Sequence, residues 1–182
     1  DVPAHIVKEA KVIFCVTPQI KKSLEKHYGH SHIIVVEHGA PEKVACEPKK
    51  IIQTPIKMIY AGSFNFRTRP ELILKAYNAL EPQVKSNLII DFYGPSGYYY
   101  WLFLKPLLKQ NVHFKGYVPF EKLQSILPEY NIGLTVNHAD VAFPSKVFYY
   151  LNAGLPIFAI TEHRGLIDFI HQHKVGLTSG LE

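Results

Sequence analysis

One stretch of the chain gathers residue types that bind anions: Phe143-Pro144-Ser145-Lys146-Val147-Phe148-Tyr149-Tyr150-Leu151-Asn152-Ala153-Gly154-Leu155-Pro156. Proline has a helical φ and no N–H to lose, so Pro144 marks the start of a helix, which Gly154 stops. The amides of Ser145 and Lys146 then fall among the unpaired donors at the positive end of that helix, with a hydroxyl and an ammonium beside them. Such a grouping suits a phosphate. Tyr149 and Tyr150, about one turn on, are within reach of the same ligand. The same residues also suit an ordinary capped helix whose lysine faces water, and this segment alone does not choose between the two.

Other chemistries lack their residues. No stretch has the glycine and Gly-Lys-Ser/Thr spacing of a P-loop, and Gly94-Pro95-Ser96-Gly97 is not the dinucleotide fingerprint G-x-G-x-x-G. The histidine pairs His30/His32 and His171/His173 are two apart, which on a helix puts them on different faces and argues against a metal site. No Gly-x-Ser-x-Gly nucleophile turn occurs.

The elements that must position the anion-binding residues alternate between strand and helix. Lys11–Val16 and Ile33–Val36 are apolar runs expected as strands buried on both faces, joined by a helix that Thr17-Pro18 opens and Gly29 closes. Ile20, Leu24 and Tyr28 form its narrow stripe. Periodicity is lost from about Glu42 to Pro55. Beyond it come strands at Lys57–Tyr60, Leu88–Phe92, Val112–Phe114, Ile132–Val136 and Pro156–Ile160. Helices are expected at Pro70–Leu80 (apolar face Leu72, Ile73, Ala76, Tyr77, Leu80), Pro119–Leu127, Pro144–Ala153 and Leu166–His173. Short connections between alternating elements imply parallel strands and right-handed crossovers. Three strands end in glycine (Gly62, Gly94, Gly116), at the carboxyl edge where ligands of such sheets sit.

Composition sets the class. The chain has 182 residues, 47% of them hydrophobic and 19% charged, enough to bury a sizeable core. Two cysteines, Cys15 and Cys46, are too few for a disulfide scaffold. No run approaches the ~20 apolar residues of a membrane span. The opening residue is Asp1, as expected of a processed or excised piece, and the expected setting is cytoplasmic, with a peripheral place at the inner face of a membrane left open.

The Pro-Ser-Lys…Ala-Gly-x-Pro segment resembles the donor-site helix of GT-B fold glycosyltransferases, which use nucleotide sugars. Tyr60-Ala61-Gly62-Ser63 resembles the first strand and glycine loop of their carboxyl-terminal domain. Phe92-Tyr93-Gly94-Pro95 resembles the second, and Val112–Val118 the strand and loop beside the base. The resemblance implies an α/β fold, a Rossmann-like parallel sheet flanked by helices. It divides the chain into 1–44, the end of the amino-terminal acceptor domain with its His38-Gly39-Ala40 turn, then a linker at 45–55 and a donor-binding domain at 56–182.

Carried over, Ser145 and Lys146 hold the donor diphosphate, bordered by Gly62, Ser63 and Gly94. Arg67 or Arg69 adds a cation, and backbone groups of Tyr117 and Val118 meet the base. Two phosphates leaving as an anion need positive charge and oriented N–H groups, so no bound metal or other cofactor is implied. The chain departs from the family in three places. Ser63 stands where many relatives have arginine. Tyr149 replaces a glutamate that accepts hydrogen bonds from ribose. An acidic residue is expected where Val141 stands, with Asp140 beside it as the substitute. The implied partners are a nucleotide sugar and a glycan or lipid-linked acceptor, in polysaccharide biosynthesis. The catalytic base is expected outside this chain, so no catalytic residue is assigned.

A second unusual run is Tyr98-Tyr99-Tyr100-Trp101-Leu102-Phe103-Leu104, followed by Lys105 and Lys109. On a helix these residues cannot all face one core. Either the segment is buried on several sides, or it meets a protein or a membrane surface through its rings. Two other readings stay open for the whole chain. One is a binding module of the same fold without catalysis. The other is a nucleic-acid binder suggested by the net charge of +5, against which the basic residues are spread along the chain with no recognised binding motif.

Overall fold

The computed structural model describes residues 4–36, 54–137 and 143–181. These fall into two compact units, the first holding the described residues before the first break together with Phe143, and the second carrying the larger sheet. Most of the expected linker and the His38-Gly39-Ala40 turn lie outside the described residues.

The first unit consists of α1 (Ala4–Glu9), β1 (Ile13–Cys15), α2 (Pro18–Tyr28) and β2 (Ile33–Val35). The ends of α2 follow from the sequence. Thr17 is its N-cap, its hydroxyl accepting from the Ile20 amide at 3.1 Å, and Gly29 ends it with φ +65°, its amide donating to the Glu25 carbonyl. The strands pair in parallel, Ile13 with Ile33 and Cys15 with Val35. The expectation that both strands are covered on two faces is corrected here. Cys15 and Ile33 are buried, whereas Phe14 is 68% exposed and Ile34 49%. Alternate residues point to opposite faces, and among the described residues the outward face of this two-stranded sheet has no covering layer.

The second unit holds six parallel strands in the order β5-β4-β3-β6-β7-β8: β3 (Ile56–Ala61), β4 (Leu88–Tyr93), β5 (Val112–Gly116), β6 (Ile132–Asn137), β7 (Ile157–Thr161) and β8 (Gly176–Ser179). The chain starts at β3, winds outward through β4 and β5, then returns to β6 and winds the other way. This is the doubly wound arrangement, with its switch point between β3 and β6. Helices α3 (Glu71–Ala79), α4 (Pro82–Ser86), α5 (Phe120–Ile126), α6 (Lys146–Asn152) and α7 (Arg164–His173) make the connections, except that a π-helical turn and a 3-10 turn (Tyr100–Leu107) join β4 to β5. The central strands read as apolar runs because both faces are covered; Ile59, Tyr60, Phe92, Leu134 and Ala159 are at most 1% exposed.

Several expectations shift in detail. In α3 the buried face is Glu71, Ile73, Leu74 and Tyr77, while Ala76 and Leu80 face water. The Tyr77 hydroxyl is tied to the Gln110 carbonyl at 2.8 Å, which fixes that rotation. Helix α6 begins two residues later than expected, with Pro144 and Ser145 forming the turn before it. Strand β8 is a short edge strand with alternating exposure, a weak apolar signal. Gly176 is required there, because a Cβ would strike the Ile157 carbonyl of the neighbouring strand.

Candidate functional site

The carboxyl ends of β3, β4 and β5 enclose a cleft of about 270 Å³. Its walls are Ala61, Gly62 and Ser63 after β3, Tyr93, Gly94 and Pro95 after β4, and Tyr117, Val118, Phe120 and Leu123 after β5. Backbone bonds tie these loops together: Gly62 donates to the Tyr93 carbonyl at 2.9 Å and Gly94 to the Gly116 carbonyl at 3.0 Å. Gly94 must lack a side chain, since a Cβ would collide with the Gly62 carbonyl. A wider groove of about 760 Å³, lined by Tyr77, Lys85, Lys109 and Asn111 among others, lies at the opposite edge, where β4 and β5 begin. Ligands of doubly wound sheets bind at the carboxyl edge, so the smaller cleft is the candidate.

Lys146 approaches Gly62, one wall of this cleft, from across the switch point. It opens α6, which follows β6, yet its ammonium reaches the loop after β3. A Cβ on Gly62 would lie 2.7 Å from Lys146 Nζ, and Gly62 has φ +151°, a backbone that favours glycine. The glycine thus makes room for the ammonium. Nζ sits 3.8 Å from the centre of the Tyr60 ring, is buried, and has no hydrogen-bond partner among the described residues. A ring face is worth up to about 2 kcal/mol to a desolvated cation, against several kcal/mol lost when a charge leaves water. An anion beside Gly62 would restore the balance.

The ring below is held firmly. Tyr60 is fully buried against Phe64 and Phe92, and its hydroxyl donates to the Ser63 carbonyl at 3.2 Å. The turn beyond Ser63 is also braced. Asn65 Oδ1 accepts from the Arg67 and Thr68 amides, and the Thr68 hydroxyl donates to the Ser63 carbonyl at 2.8 Å.

The remaining expected site residues separate. Arg67 is exposed on the braced turn. Arg69 is committed elsewhere: its Nε donates to Glu71 Oε1 at 3.1 Å, in a different groove. Ser145 is exposed at the start of α6. Tyr149 does not line the cleft. Its ring meets Phe120 edge to face at 4.8 Å and borders a small cavity with Gln124, Leu127 and Pro128. Tyr150, expected within reach of the ligand, is instead structural. It is 1% exposed, accepts from the Ala61 amide at 2.8 Å and donates to the Leu134 carbonyl at 3.2 Å, pinning the switch point. Burial raises its hydroxyl well above the usual tyrosine range. Asp140 lies outside the described residues.

A polar cluster around the buried Asp91 on β4 is not evident from the sequence. Asp91 accepts from the Tyr130 hydroxyl at 2.6 Å and pairs with His113 Nδ1 at 2.8 Å and Lys115 Nζ at 3.7 Å. Tyr130 also meets the hydroxyl of Tyr93, a cleft residue, at 3.1 Å. Burial first, and then the bond to Asp91, hold the Tyr130 proton far above the usual tyrosine range. A single acid inside the apolar run Leu88–Phe92 was the available signal. Among the described residues no cluster of three metal-ligating side chains occurs.

No protein-family model matches the sequence, and no curated protein matches it. Solved structures do. The chain superposes over its whole length on 36% of a chain in the GtfA/B complex, with a TM-score of 0.69 at 19% identity. WaaG, a glycosyltransferase involved in lipopolysaccharide biosynthesis, matches over 92% of this chain and 48% of its own, with a TM-score of 0.72 at 16% identity. Anabaena HepE, solved in complex with UDP, matches over 97% and 52%, with a TM-score of 0.68 at 13% identity. The chain therefore spans about half or less of the length of each of these proteins. At such identities the likeness is one of fold, and the fold is the Rossmann-like sheet of the GT-B glycosyltransferases.

Proposed function

We propose that this chain is the donor-binding part of a glycosyltransferase, holding the diphosphate of a nucleotide sugar at Gly62, Ser63 and Lys146. The observation that carries this reading is the buried Lys146 ammonium, which has only a ring face for company among the described residues and lies against a glycine at the switch point. The base would lie toward Tyr117, Val118 and Phe120, and residues 56–182 would form the donor domain, with 1–44 closing the acceptor domain. Bound phosphate would draw on Lys146, on nearby backbone N–H groups and on Arg67, with no metal in the scheme. HepE was solved with UDP, which makes UDP the first nucleotide to try. The acceptor would be a glycan or a lipid-linked sugar.

The test is a calorimetric titration of the chain with UDP, GDP, ADP, CMP and TDP, with and without magnesium. One nucleotide should bind, equally well without the metal. Replacing Lys146→Ala should weaken it by about 1–3 kcal/mol, the scale of a charged hydrogen bond, with the fold retained. Unchanged affinity in the folded variant would remove the phosphate site.

A further inference from the structure

The aromatic run after β4 resolves into two faces. A π-helical turn, Tyr100–Leu104, directs Leu104 into the core, and Tyr99 is buried beside it. Tyr100 and Phe103 are half-buried against the core, whereas Tyr98 is 77% exposed, Trp101 55% and Leu102 48%. Phe66, from the loop after β3, is 68% exposed and touches Tyr99 and Phe103 with its ring. Phe66 and Leu102, from two separate loops, line one groove, and Tyr98 and Trp101 stand exposed on the same aromatic run.

The exposed charges placed at this surface are cationic. Lys105 Nζ lies 4.0 Å above the Trp101 ring, and Lys75 shares a groove of about 600 Å³ with Phe66 and Leu102. Between Asp91 and Glu121 the chain carries no acidic side chain. The one carboxylate in the groove, Glu71, is buried and occupied by the Tyr99 hydroxyl and Arg69. Outward aromatics flanked by lysines, with no open carboxylate among the groove's described residues, match the interfacial layer of a bilayer. There, rings sit at headgroup depth and lysines reach lipid phosphates. No described helix is long and apolar enough to cross a membrane, so the contact is with the surface.

We propose that the face formed by Phe66, Tyr98, Trp101 and Leu102, with Lys75 and Lys105, seats on a membrane surface rich in anionic phospholipid. Each lysine near such a surface adds attraction that salt screens.

The chain has a single tryptophan, so the fluorescence of Trp101 reads this face directly. The full chain is titrated, without nucleotide, with phosphatidylcholine vesicles and with vesicles of equal parts phosphatidylcholine and phosphatidylglycerol. The emission should move to the blue with the anionic vesicles, with affinity at least tenfold above the neutral ones and reduced by added salt. Cosedimentation of Lys105→Glu with the anionic vesicles should fall at least tenfold, and Lys105→Arg should retain it, with circular dichroism showing both variants folded. An emission maximum unmoved by anionic vesicles, or moved equally by both kinds, overturns the proposal. So does a blue shift that follows protein concentration without lipid, which would identify a second copy as the occupant. Because no nucleotide is present, failure here is independent of failure at Lys146.

Discussion

Two buried charges lie near the same sheet edge and are treated differently. Asp91, on β4, is surrounded by donors: Tyr130, His113 and Lys115 all reach it. Lys146, at the start of α6, has a ring below it and no hydrogen-bond partner among the described residues. A satisfied cluster strengthens the fold, because each buried group meets its partner. An unsatisfied charge weakens the fold unless a ligand supplies the missing contacts. The contrast separates a structural acid from a binding cation, although each is a lone charge in an otherwise apolar stretch.

Alkali should break the satisfied side first. The Tyr130, Tyr99 and Tyr150 hydroxyls all have raised pKa values, chiefly through burial. A tyrosine raised in the folded state lends stability that is complete below its unfolded value of about 10 and is lost as pH climbs toward the folded value. Unfolding should therefore set in above pH 10, with phenolate absorbance and circular dichroism changing together. Phenolate signal from these residues while the fold persists would mean that they are not enclosed. Next in size is Asp91→Ala, which removes the carboxylate that accepts from the Tyr130 hydroxyl. It should cost about 2–3 kcal/mol in urea unfolding, below the 3–5 kcal/mol of a fully enclosed pair because His113 and Lys115 reach water. A cost under about 1 kcal/mol would put Asp91 among ordinary surface acids.

The same contrast shows why only part of the molecule is legible in the sequence. Strands β3, β4, β6 and β7 announce themselves, because burial on both faces demands apolar runs and their ends demand glycines. Gly62 and Gly94 follow from close backbone approach and were readable as loop signals. What the sequence hides is direction. Nothing in the spacing of Tyr149 and Tyr150 says that one pins the switch point and the other packs on Phe120, since that depends on how α6 lies against β6. Arg69 and Arg67 look interchangeable until the fold brings Glu71 to one of them. The Asp91 cluster draws on three separate strands and turns, so only the sheet's register assembles it. Likewise, the aromatic run is half core and half surface because a π-helical turn rotates its residues away from ordinary helical spacing.

Lys146→Met tests the unsatisfied side. Methionine keeps the volume over Tyr60 and removes the charge, so stability without ligand should stay within about 1 kcal/mol or rise. Nucleotide affinity should nonetheless fall about tenfold or more. A large loss of stability would instead mean that the ammonium is already satisfied in the folded chain, and the contrast with Asp91 would collapse.

The smallest expected effect is at Tyr149, where the resemblance leads one to expect a glutamate. Its ring packs edge-on against Phe120, a contact worth about 0.5–1.5 kcal/mol, so Tyr149→Glu should lower the unfolding midpoint only slightly. Phe120 lines the cleft, so the new carboxylate would stand one side chain behind the proposed base site. If a ribose hydroxyl comes within its reach, one added hydrogen bond of about 1 kcal/mol should tighten nucleotide binding about fivefold in the same calorimetric titration. Weaker binding would mean that the Phe120–Tyr149 pair itself shapes the cleft. The tyrosine would then belong to this chain's own way of holding a nucleotide, rather than marking the loss of one.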